Sequence, residues 1–107
     1  MTQPNILRII DLCMEIDICA GQIFSELSKV YSKSGLGQFW MDRAKEEERH
    51  TLFWKALKKH AIQGVFPQVF KDPNKMIAGL ESNLQRIRLF LHRDDKEFSV
   101  TRAFFVA

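Results

Sequence analysis

Three ionisable residues occupy helix positions that the surrounding apolar pattern assigns to a protein core. Glu47 and His50 stand three residues apart where apolar residues recur every three or four positions, so both side chains project from one helix face. Asp17 interrupts a similar apolar stripe nearer the N-terminus. Burying an unpaired carboxylate costs several kcal/mol, and a divalent or trivalent metal ion is a simple common partner for two carboxylates and an imidazole. The sequence therefore predicts that Asp17, Glu47 and His50 are metal ligands.

A lone Glu-x-x-His pair is a weak signal, because amphipathic helices carry it by chance. In a metal-free interpretation, Glu47 lies at a surface margin beside the solvated Glu46 and Glu48, and His50 is a hydrogen-bonded core histidine. The acidic position at Asp17, on a second apolar stripe, favours the metal site over this interpretation.

Two helices joined by a short turn must position these residues. Apolar periodicity predicts the first helix from Ile6 to about Lys33 and the second from about Leu36 to His60. The predicted stripes are, in the first helix, Ile6, Ile9, Ile10, Cys13, Asp17, Ala20, Phe24, Leu27 and Tyr31, and in the second, Leu36, Trp40, Arg43, Ala44, Glu47, His50, Trp54, Leu57 and Ala61.

The turn between the helices is predicted at Ser34-Gly35, with Gly35 as a left-handed residue that ends the first helix and Gly64 near the end of the second. So short a turn makes the two helices antiparallel. Counted along the chain, Asp17 lies farther before Gly35 than Glu47 lies after it, by more than one helical turn. Their alignment at one level therefore requires an offset in the centre of the turn.

A third helix is predicted after a short apolar linker at 65–70. Asp72 is its expected cap, Pro73 lies in its first turn, and the apolar rhythm of Ile77, Leu80, Leu84, Ile87 and Leu91 runs to position 92. Another helix is predicted to start at 99–107, where the pattern stops on apolar residues without a cap. We therefore expect the 107 residues to be part of a longer protein.

Composition narrows the classes of protein. Five glycines and three prolines in 107 residues favour an all-α fold over one rich in strands and turns. The net charge is only +3, and the sequence has no basic cluster interleaved with aromatic residues. No nucleic-acid partner is therefore expected. No signal-peptide pattern or apolar run long enough to cross a membrane occurs, and a cytoplasmic location is expected.

Cys13 and Cys19, six residues apart on one helix, are expected to be unbridged structural thiols. Phe24, Trp40, Phe53 and Trp54 are expected in the core, and His60 and His92 on the surface.

Residues 13–57, CMEIDICAGQIFSELSKVYSKSGLGQFWMDRAKEEERHTLFWKAL, resemble the first hairpin of rubrerythrin-like proteins of the ferritin-like di-iron superfamily. Asp17 stands at the family's acidic ligand position, with small Ala20 three residues on and aromatic Phe24 seven on. The run Glu46-Glu47-Glu48-Arg49-His50 matches the family's Glu-Glu-x-x-His, and the separation of Asp17 from Glu47 along the chain is that of family members with short loops.

The resemblance implies one ferritin-like domain over 1–107, with a metal-site hairpin at 5–61, a connecting helix at 73–92 and the start of a further helix at 99–107. A four-helix bundle would then be completed by missing C-terminal sequence or by dimerisation. It also implies a cofactor of two iron ions per complete site, with manganese or zinc as other candidates. Glu47 would bridge the metals, Asp17 and His50 would be terminal or semi-bridging ligands, and Tyr31 or Trp54 would lie near the pocket.

Three functions follow from this resemblance. The first is a di-iron oxidoreductase that reduces peroxide or oxygen; since the chain lacks Cys-x-x-Cys, it would need a separate electron donor. The second is iron oxidation and storage of the encapsulated-ferritin type. The third is a metal-free helical structural or interaction module, which Asp17 favours because the family usually carries the longer glutamate there. A homodimer or larger homo-oligomer is expected in each case.

Overall fold

A computed structural model describes residues 4–64 and 71–91 as three α-helices. In chain order these are α1 (Pro4–Val30), α2 (Gly35–Ile62) and α3 (Pro73–Leu91). No strand occurs within those two ranges, which confirms the all-α class. The helix predicted at 99–107 lies outside the described residues. None of the three helices combines the length and apolar character needed to cross a lipid bilayer.

Helices α1 and α2 pack antiparallel, as the short turn predicts. Near the start of α1, Asp11 accepts a hydrogen bond from Lys58 near the end of α2, at 2.8 Å. At the opposite end, Leu27 and Trp40 share one buried cluster next to the turn. These two contacts fix both the direction and the register of the helix pair.

The turn differs in detail from the sequence-based expectation. Helix α1 ends at Val30, and Gly35 is the first residue of α2 rather than the left-handed end of α1, so that expectation was wrong. The extended backbone of Ser34 (φ −133°, ψ 167°) turns the chain into α2. The left-handed glycine within the described residues is Gly64 (φ 75°), which follows α2 and was expected to close that helix.

Helix α3 runs parallel to α1. Arg8 pairs with Glu81 at 3.2 Å, and Glu15 pairs with Arg88 at 3.4 Å. In both pairs the residue of α3 follows its α1 partner by the same number of residues, so the two helices run in the same direction. The expected cap is confirmed, because the Asp72 carboxylate accepts a hydrogen bond from the backbone N–H of Lys75 at 3.1 Å. Helix α1 is therefore central, with α2 and α3 both packed along it.

Two apolar clusters hold the hairpin together, one towards each end. Phe24 and Trp40 stack near the turn with ring centroids 5.6 Å apart, and both are fully buried. Ile6, Ile10 and Ala61 form the other cluster. Most of the predicted stripe residues are buried or half-buried. The side chains of Leu36, His50 and Phe53 were also expected in the core, but they are exposed, so these three predictions were wrong.

Candidate metal centre

The candidate site lies midway along the α1–α2 hairpin, between its two apolar clusters. Asp17 lies almost as far before the end of α1 at Val30 as Glu47 lies after the start of α2 at Gly35. The two positions therefore align without an offset in the centre of the turn. An offset was expected from the sequence because α1 was predicted to end later than it does.

The structure brings the three predicted ligand residues together. Asp17, Glu47 and His50 each offer one donor atom, and these atoms lie within 4.8 Å of one another. His50 Nδ1 lies 3.3 Å from Oε2 of Glu47. Glu47 is only 6% exposed, Asp17 is half-buried, and the side chain of His50 is 48% exposed. A buried carboxylate is thus flanked by a second carboxylate and an accessible imidazole.

The electrostatics of this cluster centre on Glu47. Burial raises the pKa of the Glu47 carboxyl, and Asp17 raises it further through its negative charge and a hydrogen bond between the two carboxyl groups. His50 opposes the rise in this pKa, and an Arg43 nitrogen lies 4.0 Å from Oε1 of Glu47. In the absence of a cation, the Glu47 carboxyl therefore holds its proton to a higher pH than an exposed glutamate does.

Close approach of the helix backbones contributes to the burial of Glu47. A Cβ atom built on Gly21 of α1 would lie 3.4 Å from Cβ of Glu47. A larger side chain at position 21 would enter the space beside the carboxylate. This role of Gly21 was not predicted from the sequence, because its spacing from Asp17 does not identify which residue of α2 it meets.

Trp54 fixes the orientation of Asp17, since its Nε1–H donates a hydrogen bond to Oδ2 of Asp17 at 2.7 Å. Trp54 was expected near the pocket, but the hydrogen bond could not be read from the sequence. Tyr31 packs instead against the Phe24–Trp40 cluster at the turn.

Replacing Trp54 with phenylalanine is expected to lower the free energy of unfolding by about 2 kcal/mol, because a hydrogen bond to a carboxylate is lost from a partly buried site. Chemical denaturation measures the loss. Phe53→Leu is the matched control: Phe53 is 59% exposed, and the change should cost less than about 0.5 kcal/mol. Equal losses in the two variants would contradict the assigned role of Trp54.

The three donors suit a hard or borderline divalent cation. Carboxylate oxygens favour iron or manganese, and imidazole nitrogen is compatible with iron and zinc. Two ligands bound at about 2.1 Å from one metal ion lie roughly 3–4 Å apart. Donor atoms within 4.8 Å of one another therefore reach this spacing if side-chain rotations move them by about 1 Å. The exposed side chain of His50 has the freedom to make such a rotation.

One side of the cluster opens into a groove of about 650 Å³ between α1 and α2. Asp17 and Glu47 line it together with Gly21, Ala44 and Thr51. Water, a small molecule or further protein ligands can therefore approach both carboxylates from this side.

Within the described residues, neither His60 nor the two thiols belong to this group of donors, although the charge of Asp17 acts on the Cys13 thiol. His60 is exposed, as expected, and His92 lies outside the described residues. Cys13 and Cys19 are free, as expected. Burial raises the pKa of both thiols, which keeps them protonated and unreactive at neutral pH.

Comparison of the chain with protein-family models, curated proteins and solved structures found no match. The resemblance to rubrerythrin-like proteins therefore stays a hypothesis drawn from the sequence.

Proposed function

We propose that this chain is a rubrerythrin-like, carboxylate-rich metal-binding protein that supplies half of a two-iron site. One observation carries the proposal: Asp17, Glu47 and His50, from two helices, offer donor atoms within 4.8 Å around a carboxylate that is 6% exposed. A cation would relieve the repulsion between the two carboxylates and take the place of the proton that the raised pKa of Glu47 otherwise favours.

Each residue has a distinct role in this proposal. Glu47, the most buried donor, would hold the metal from within the hairpin, and Asp17 and exposed His50 would complete the ligand set of this chain. Trp54 would hold Asp17 in position through its 2.7 Å hydrogen bond. Bound iron would supply redox chemistry towards peroxide or oxygen, and the electrons would come from a separate donor protein. Because both thiols are free, a reducing cytoplasm is the proposed compartment.

Iron oxidation and storage would use the same three residues. The two functions differ in the fate of the iron, which remains in place in a peroxide-reducing protein but passes into a mineral in a storage protein. A peroxide-dependent oxidation assay with an artificial electron donor distinguishes them, because only the first protein turns over repeatedly with a fixed metal content.

A metal-free helical interaction module is the second candidate, and a specific observation favours it. Asp17 already accepts a hydrogen bond from Trp54, and a proton on Glu47 satisfies the second carboxyl group. The cluster can therefore be stable as a hydrogen-bonded network without a cation.

Metal analysis of the intact chain decides between these candidates. After anaerobic loading with ferrous or manganous ion and removal of the excess, mass spectrometry of the elements should find about one or two metal ions per site. The double variant Glu47→Gln, His50→Ala should lose at least about nine-tenths of the bound metal, since two of three donors are removed.

The control for this experiment is the double variant Asp42→Asn, His60→Ala. It makes the same types of change at exposed positions of α2, and Asp42 contacts Gln38 at 2.8 Å instead of the cluster. This variant should keep the wild-type metal content. Absence of bound metal in the wild-type protein, or equal losses in the two double variants, would exclude the metal-binding proposal and leave the interaction module.

A further inference from the structure

A permanent positive charge lies beside the most buried donor of the proposed metal centre. Arg43 occupies a position in the predicted apolar stripe of α2, about one helical turn before Glu47. Its side chain is 30% exposed, and one of its terminal nitrogens lies 4.0 Å from Oε1 of Glu47. A guanidinium keeps its proton throughout the physiological pH range. A metal ion bound by Glu47 would therefore always have a second cation as its neighbour.

The two carboxylate oxygens of Glu47 face different groups. Oε2 lies 3.3 Å from Nδ1 of His50, and Oε1 lies 4.0 Å from the Arg43 nitrogen. His50 can act as a ligand, because a neutral imidazole has a nitrogen lone pair to offer a metal ion. A guanidinium has only donor N–H groups and cannot be a ligand. Arg43 can therefore act on a bound metal ion through its charge alone.

Aromatic packing holds the guanidinium in this place. Its central carbon lies 5.6 Å from the centroid of the Phe24 ring, within the range of a cation–π contact. Phe24 is fully buried and stacks on Trp40, so the ring has little freedom to move. The residues that line the groove beside Asp17 and Glu47 do not include Arg43. A metal ion can thus enter from the groove without displacing the guanidinium.

We propose that Arg43 is a specificity-determining residue of the metal centre, which weakens the binding of trivalent ions more than the binding of divalent ions. This inference rests on the proposed metal-binding function. The repulsion between two charges is proportional to their product, so the guanidinium repels a trivalent ion about one and a half times as strongly as a divalent ion at the same place. The carboxylates of Asp17 and Glu47 favour the ion of higher charge, and Arg43 reduces this preference.

Charge selection of this kind matters for iron, because its ferrous and ferric ions differ by one charge. With Arg43 in place, the ferric ion loses more of its binding free energy than the ferrous ion does. The reduction potential of bound iron is then higher than it would be without the arginine, and oxidised iron leaves the site more readily. Arg43 thus influences whether iron is retained or released, the property by which the two iron-dependent functions differ.

The affinities of one divalent and one trivalent ion test this role. Manganous and terbium(III) ions are suitable probes, because neither changes its oxidation state in anaerobic buffer and Trp54, bonded to Asp17, can sensitise terbium luminescence. Arg43→Met removes the charge and keeps an unbranched stem against Phe24. This variant should bind manganous ion at least about tenfold more tightly and terbium at least about thirtyfold, since the second effect is larger by half on a logarithmic scale. Calorimetry and luminescence measure the dissociation constants.

Three control variants separate the charge of Arg43 from its packing. Arg43→Lys keeps the positive charge and should leave both dissociation constants within about fivefold of the wild-type values. Arg43→Gln removes the charge with a different side chain and should reproduce the result of Arg43→Met, so the test does not depend on the folding of one variant. Arg49→Met makes the same change at an α2 arginine whose side chain is 71% exposed, and it should alter neither affinity.

The outcomes distinguish this role from the metal-binding function itself. Equal strengthening for the two ions, or none, in both charge-free variants would exclude the role of Arg43 and leave the metal-binding proposal in place. A lysine variant that behaves like the charge-free variants would also overturn the role. If neither ion binds to the wild type or to any variant, the metal-binding proposal fails, and the role of Arg43 fails with it.

Discussion

Replacing Gly37 with alanine is expected to lower the free energy of unfolding by about 3 kcal/mol. A Cβ atom at this position would lie 2.5 Å from the backbone carbonyl oxygen of Tyr31, closer than side-chain carbons approach oxygen in folded proteins. The obstructing atom belongs to the backbone of the turn, so neither rotation of a side chain nor a small shift relieves the contact. Either the turn must open or α2 must move away from α1.

The matched control is Gly35→Ala, two residues earlier. A Cβ atom at Gly35 would meet nothing within 4 Å, and its position at the start of α2 suits alanine. This variant should be neutral or more stable by up to about 1 kcal/mol, because alanine restricts the unfolded chain. Thermal and urea denaturation of both variants give the comparison. Similar stabilities for the two would contradict the close approach at the turn.

The stability order of the wild type and Glu47→Gln is expected to reverse when metal is added. Without metal, the variant should be more stable at pH 7 by a few degrees in melting temperature. The raised pKa of Glu47 means that the folded chain holds the proton more tightly than the unfolded chain does. This contribution to stability is complete below the unfolded pKa of about 4 and is lost as pH rises through the folded pKa.

The metal-free difference between the two proteins should therefore shrink as pH falls towards about 4. Manganous ion at about 100 times its dissociation constant should stabilise the wild type by about 2.7 kcal/mol, or about 10 °C. The variant should gain little, because its amide is a poor ligand. Calorimetry with and without manganous ion at pH 5 and pH 7 measures all these values. A wild type that gains no stability from metal, or a variant that gains as much, would contradict the assignment of Glu47 as a ligand.

The sequence was sufficient to predict the three described helices, apart from the end of α1. The apolar steps of three and four residues, the caps at Asp72 and Gly64 and the scarcity of glycine and proline are local signals, and the bounds of α2 and α3 agree with them to within about two residues. The grouping of Asp17, Glu47 and His50 was also predictable, since a charged residue in an apolar stripe stands out against its neighbours. Their function as metal ligands remains a proposal.

The turn and the surroundings of the site were decided by tertiary packing. Gly35 and Gly37 look alike in the sequence, yet only Gly37 lies against the backbone of the turn, because α2 folds back onto α1 there. The contact of Gly21 with Glu47 and the hydrogen bond from Trp54 to Asp17 both join residues that are far apart in the sequence. Local periodicity tells which face of a helix is apolar, but the register of one helix on another determines which side chains meet.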